Sequence, residues 1–189
     1  MAERSEQISA VELPSWAQVT QKRLGHIQRV AALVTQWAVA LHVSPEERER
    51  WVRAASLHDA LKDASPELLR ELAPDSWGAD SLRHGPAAAA MAAREGERDQ
   101  GVLDAVRYHS VGCARWDDAG RMLYLADFLE GRRRKAGDDR EALVQRVPND
   151  PRGVLREVAR RRLLLTIRAG HPLLAETTAF WNDLACPGG

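Results

Sequence analysis

Cysteine and aromatic residues are scarce in this chain, net charge is absent, and no long apolar run interrupts it. Of 189 residues only Cys113 and Cys186 are cysteines, far apart and without a CxxC. That pattern fits a reducing cytoplasm better than a disulfide framework. Aromatics make up 5% of the chain, β-branched residues are sparse, and strand-like alternation is almost missing, which excludes a substantial sheet. Lys plus Arg equal Asp plus Glu at 27 each, so no net field draws nucleic acid or an anionic membrane. No apolar run approaches the roughly 20 residues of a bilayer span. Glu3, Glu6 and Glu12 interrupt the first segment, which excludes a secretory leader. These absences predict a soluble, cytoplasmic protein with neither nucleic acid nor membrane as partner.

What remains is ordinary globular composition, 44% hydrophobic and 29% charged, in a length that suits one domain. Residues 1–15 read as a loose arm and 16–189 as a single all-α domain. From about 16 to 41 the positions Leu24, Ile27, Val30, Ala31, Val34, Trp37, Ala38 and Leu41 form one apolar stripe at helical spacing. Ser44, Pro45 and Glu47 compose a capping box for a second helix with inner face Trp51, Ala54, Ala55, His58 and Leu61. Pro66, Pro74 and Trp77-Gly78 break the middle into a short helix and loops. Further helices are expected at about 82–94, 100–110, 118–133, 139–147, 151–169 and 174–185.

The histidines carry the chemistry. His58-Asp59 lies on an inward face, and a buried aspartate without a positive partner is costly. His26 sits on the apolar stripe of the preceding helix, His84-Gly85 opens another, His109 closes a fourth, and Asp127 lies within the apolar run 122–129. Any one of these reads as a satisfied core or cap residue. Five helices each sending such residues inward are better explained by metal, because imidazole and carboxylate together suit first-row divalent cations. Six ligands are too many for one tetrahedral zinc and suit two octahedral ions.

The words around these residues carry a resemblance. Arg23-Leu24-Gly25-His26, His58-Asp59-Ala60-Leu61-Lys62, His84-Gly85-Pro86-Ala87-Ala88, Tyr108-His109-Ser110-Val111-Gly112 and Ala126-Asp127-Phe128-Leu129-Glu130, in that order, resemble the HD superfamily of metal-dependent phosphohydrolases. Within it they are similar to the YqeK-like family of symmetrical diadenosine tetraphosphate hydrolases. The likeness runs from about residue 20 to 135, with its core motifs in 23–133, and continues more faintly to the end, through Asn182. It implies a single HD-type helical bundle and two divalent ions, iron by family habit, with manganese, cobalt, nickel or zinc as alternatives of the same ligand chemistry. It implies that Asp59 bridges both ions, with His26, His58 and Asp127 on one and His84 and His109 on the other. A bridging hydroxide would then split diadenosine tetraphosphate into two ADP.

Cations must answer the phosphates. Lys62, one turn after His58, is expected beside the metals in a catalytic and substrate-binding role. Arg133 matches the family's arginine after the last aspartate and is expected on a distal phosphate. Glu130 is a candidate to orient Arg133 or a ligating histidine. Where the family has Thr-Thr-Gly, this chain has Ser110-Val111-Gly112, and Ser110 and Gly112 are the expected phosphate contacts. Gly131 replaces a usual proline, and the stretch between Lys62 and His84 is long. Arg132, Arg134 and Lys135 read as a solvated helix end, His42 and His171 as surface or cap residues, and the tryptophans as packing, with Trp116 the one candidate adenine platform. Two alternatives stay open: the same site acting on another nucleotide (nucleotidase, phosphodiesterase or alarmone hydrolase), or a non-catalytic partner-binding protein with structural metals. Homodimerisation is open as well.

Overall fold

Local signals start and stop the helices much as the sequence suggests. In the computed structural model, which describes residues 12–76, 79–130 and 139–186, every regular element is helical. Helix α1 spans Gln21–Ala40, α2 Pro45–Leu57, α3 Pro66–Leu72, α4 His84–Arg94, α5 Gln100–Tyr108, α6 Asp118–Leu129, α7 Arg140–Arg146, α8 Pro151–Arg168 and α9 Ala175–Ala185. A single 3-10 turn, Asp80–Leu82, precedes α4. No described helix is long and apolar enough to cross a membrane. The all-α reading holds.

Helix α1 begins later than its apolar stripe suggests. Thr20 caps it by accepting from the Arg23 backbone N–H, and Asp63 accepts from both the Thr20 N–H (2.8 Å) and its hydroxyl (2.9 Å). After a turn closed by the Ala17 N–H on the Pro14 carbonyl, the chain instead runs beside the segment that follows α2, where the Gln18 N–H donates to the Ala60 carbonyl at 2.7 Å. In α2 the Ser44 hydroxyl accepts from the Glu47 N–H, as a capping box requires. The reciprocal half is missing, because the Glu47 carboxylate is engaged by Arg50 and by the Trp51 indole N–H.

Helix α6 is the axis of the bundle, with Met122, Leu123, Tyr124, Leu125, Ala126 and Leu129 all buried. It packs against α1, α2, α5 and α8. Trp37 and Trp51 are fully enclosed in the same core. Phe180 of α9 closes the open side by edge contacts with Trp116 and Tyr124, ring centroids 5.3 Å apart in each case. A smaller cluster, built on Leu61, Leu69, Leu72, Ala87, Ala88, Ala89 and Val106, fastens α3 and α4 to the rest. Its alanines let α4 lie close to α5.

One ion-pair network ties three helix starts together. Asp99 caps α5 and Asp117 caps α6, and Arg50 of α2 reaches Glu47, Asp99 and Asp117, each at 2.6 Å. Bidentate guanidinium geometry suits this bridging. The far ends of α2, α5 and α6 are thereby aimed at one point.

Candidate metal centre

Helix α2 stops at Leu57, and the chain continues in tight turns: the Ala60 N–H donates to the Leu57 carbonyl, Lys62 to Asp59 and Ala64 to Leu61. His58 and Asp59 stand where the helix gives way to these turns, and both are buried. His26 comes from the second turn of α1, His84 from the first position of α4, His109 from the residue closing α5, and Asp127 from the last turn of α6. All six side chains singled out in the sequence converge.

Asp59 is at the centre. Its Oδ2 lies 3.7 Å from the Nε2 of His26 and 3.6 Å from that of His58. Its Oδ1 lies 3.1 Å from the Nε2 of His84 and 3.6 Å from that of His109. Two potential three-residue cation sites result, His26–His58–Asp59 and Asp59–His84–His109, sharing one carboxylate. Asp127 adds its Oδ1 to the first, 3.2 Å from His26 Nε2 and 3.9 Å from His58 Nε2.

The second ring nitrogens fix which atoms face the centre. Nδ1 of His58 meets the Ala55 carbonyl at 2.7 Å, that of His84 the Ser81 carbonyl at 2.8 Å, and that of His109 the Val106 carbonyl at 2.7 Å. A carbonyl has no proton to give, so each Nδ1 carries the hydrogen and each neutral ring turns its Nε2 lone pair inward. Nε2 of His84 and His109 are 3.1 Å apart, both beside an Asp59 oxygen. Cis donors around one ion sit about 3 Å apart when each bond is about 2.1 Å. Converging acceptors in a buried pocket fit a cation and are costly otherwise. The donor set therefore fits two divalent ions.

Electrostatics agrees. Burial lowers His58 to about 4 and lowers His84, keeping both neutral as ligands must be. Burial also pulls His26 down, yet hydrogen bonds with Asp127 and Glu130 outweigh it and raise that ring to about 9. Without a cation His26 thus holds a proton against Asp127, and metal would displace it. Glu130 Oε2 accepts from His26 Nδ1 at 2.6 Å, and the other oxygen is held by Arg29. The candidate orienting role of Glu130 therefore falls on a histidine. Burial disfavours ionisation of Asp59 and Asp127, but the surrounding histidines, and Arg162 for Asp127, hold both carboxyls well below the usual range.

The expected substrate contacts divide. Lys62 Nζ reaches the site, 3.3 Å from both ring nitrogens of His84, although the chain there is a turn and not a helix. The Ser110 hydroxyl is 3.0 Å from His109 Nε2. Gly112 is different. Its N–H is spent on the Tyr108 carbonyl (2.8 Å), its φ is +92°, and an added Cβ would lie 2.3 Å from the Phe180 ring. Its glycine is required by the core, so the phosphate contact expected of it is withdrawn. Trp116 is buried, donates to the Asp104 carbonyl and packs on Phe180, which removes it as an adenine platform. Arg132, Arg133, Arg134, Lys135 and Trp77 lie outside the described residues.

Two arginines at the centre escaped the sequence reading. Arg23 Nη1 pairs with Asp59 Oδ2 at 2.6 Å, and Arg162 Nη2 with Asp127 Oδ2 at 2.8 Å. Arg23 was legible from its position three residues before His26, on the same helical side. Arg162 continues the buried stripe Val154, Leu155, Val158 and Ala159 of α8, where an arginine is out of place.

Known proteins align with this arrangement. Over 181 residues the chain is 23% identical to a Bacillus subtilis protein named bis(5'-nucleosyl)-tetraphosphatase, symmetrical, covering 88% of this chain and 91% of that one. Proteins of the same name from Staphylococcus aureus (29% over 146 residues, 72% and 70% covered) and Halalkalibacterium halodurans (25% over 139 residues, 69% and 73%) are similar too. A crystal structure from Clostridium acetobutylicum, described as an HD superfamily hydrolase involved in NAD metabolism, shares the fold. Its TM-score is 0.78 at 22% identity, with 90% of this chain and 92% of that one covered. The profile described as the HD domain matches residues 23–144, and the chain belongs to the HD-domain family.

Proposed function

We propose that this chain hydrolyses dinucleoside polyphosphates, cleaving diadenosine tetraphosphate symmetrically to two ADP at a dinuclear centre held by His26, His58, Asp59, His84, His109 and Asp127. The observation that carries the reading is the division of the Asp59 carboxylate, one oxygen toward each histidine pair. The names of three relatives supply the substrate class. A pair of divalent ions, iron by family resemblance, would supply Lewis acidity toward a phosphoryl oxygen and a nucleophile at neutral pH.

The chain's own residues do the rest. The Ala55, Ser81 and Val106 carbonyls and Glu130 lock the four imidazoles in the ligating tautomer. Lys62, at the rim beside His84, places a positive charge where a bound phosphate would sit. Arg23, Arg29 and Arg140 line a cavity of about 770 Å³ that opens beside His26. With Lys22 the wall carries four cations against the carboxylates of Asp63 and Glu130, an excess that suits a polyphosphate chain. Arg133, as the resemblance implies, is proposed to hold a distal phosphate. The Ser110 hydroxyl, 3.0 Å from His109 Nε2, supports a contact from Ser110 to a phosphate oxygen.

The test is product analysis of the metal-loaded protein with diadenosine tetraphosphate. ADP as sole product is expected. AMP plus ATP, or faster turnover of mononucleotides, would replace this substrate with another on the same site.

A further inference from the structure

Beyond residue 144, where the HD-domain match ends, α8 contributes Arg162 to the centre. Its Nη2 donates to Asp127 Oδ2 (2.8 Å) and to the Tyr124 carbonyl (3.3 Å). Its guanidinium lies 4.3 Å above the Tyr124 ring and 5.3 Å from that of Phe128. Its Nε is enclosed and meets no acceptor among the described residues. An arginine spends desolvation to sit here, and the stacked plane fixes the direction of its N–H groups.

We propose that Arg162 is a positioning residue for the metal site of His26 and His58: it occupies one oxygen of Asp127 so that the other alone is presented as ligand. The geometry carries this. Oδ2 is turned toward α8 and taken, while Oδ1 faces His26 and His58 at 3.2 and 3.9 Å. A freely rotating carboxylate would chelate through both oxygens or turn away. The inference rests on the proposed dinuclear reading and adds to it a residue from outside the HD core.

Charge and position predict opposite signs, which makes the idea testable. Removing a cation near a dication relieves Coulomb repulsion, which alone would strengthen binding. Removing an outer hydrogen bond that orients a ligand weakens it, typically about 10–100-fold. The experiment titrates wild type and Arg162→Met with Co2+ against a competing chelator, reading both affinities and the visible Co2+ spectrum. The expected result is a loss of about 10–100-fold at one site, with the second unchanged within about twofold, and an altered spectrum. The double variant Asp127→Asn/Arg162→Met is expected to lose little more than Asp127→Asn, because the arginine acts through the aspartate. Should Arg162→Met not fold, Arg162→Lys carries the test: it keeps the charge, loses the fork, and is expected to weaken the same site by less. Two sites in the wild type with unchanged or tighter binding in the variant would overturn the role of Arg162 and leave the dinuclear reading standing. A wild type that binds no cation would overturn both.

Discussion

Gly85→Ala tests how closely α4 and α5 must approach to bring His84 and His109 together. An added Cβ would stand 3.0 Å from the Arg107 carbonyl, 3.0 Å from that of Val106 and 3.1 Å from His109 Cε1. Two of these are backbone atoms, and the Val106 carbonyl also holds His109 Nδ1. Relief requires the helices to separate. Overpacking of this kind costs about 1–3 kcal/mol. Alanine returns up to about 1 kcal/mol as a better helix former, less at the second position of a helix. With a return of about 0.5 kcal/mol there, the net is a loss of about 0.5–2.5 kcal/mol. For a chain this long each kcal/mol lowers Tm by about 2–4 °C, so a fall of about 1–10 °C is expected in metal-free protein. The 3.1 Å His84–His109 spacing widens as well, and each tenfold loss of metal affinity removes a further 1.4 kcal/mol or so of metal-induced stabilisation. The deficit should therefore grow when saturating metal is present for the wild type. Differential scanning fluorimetry with and without Mn2+ reads both effects. An unchanged or raised Tm would refute the close approach.

Other expectations follow from the same geometry. Arg50→Met breaks three pairs, two about a quarter exposed and the third, with Asp117, 40% exposed on the carboxylate side, so solvent screening reduces the cost to about 1–3 kcal/mol; urea unfolding should show that loss with metal stoichiometry intact, and a midpoint equal to wild type would contradict it. The hydrogen bond from Arg50 lowers Asp99 to about 2, against 3.8 for an ordinary aspartate. A depressed carboxyl stabilises the fold above its unfolded value and stops doing so as pH falls through the folded one, so this contribution fades between about pH 4 and 2. Asp99→Asn should flatten stability in that window, and an undiminished acid slope would refute the assignment. Lys62→Met should lower kcat/KM by about 100-fold while two metals remain bound; full activity would remove Lys62 from the reaction.

Much of the site was legible because each ligand carries a local oddity. A carboxylate within Leu123-Tyr124-Leu125-Ala126-Asp127 or after Ala54-Ala55-Ser56-Leu57-His58 breaks an apolar pattern, and such breaks are read without knowing the fold. Helix ends were legible for the same reason, Ser44 and Ser65 with their prolines being the plainest. What failed depends on partners distant in sequence. The start of α1 is set by Asp63, 43 residues away, gripping Thr20. Gly112 is glycine because Phe180 lies against it, and nothing near Gly112 announces that ring. Arg162 finds Asp127 only because α8 packs on α6. Local chemistry names the ligands, while packing decides what supports them.

The most direct measurement of the central claim is the metal content of anaerobically purified chain beside its Asp59→Asn variant. One carboxylate shared between two histidine pairs predicts two ions per chain in the wild type. Loss of both is expected when that carboxylate is removed, with folding preserved. One ion in the wild type, or two that survive in Asp59→Asn, would contradict a centre bridged by Asp59.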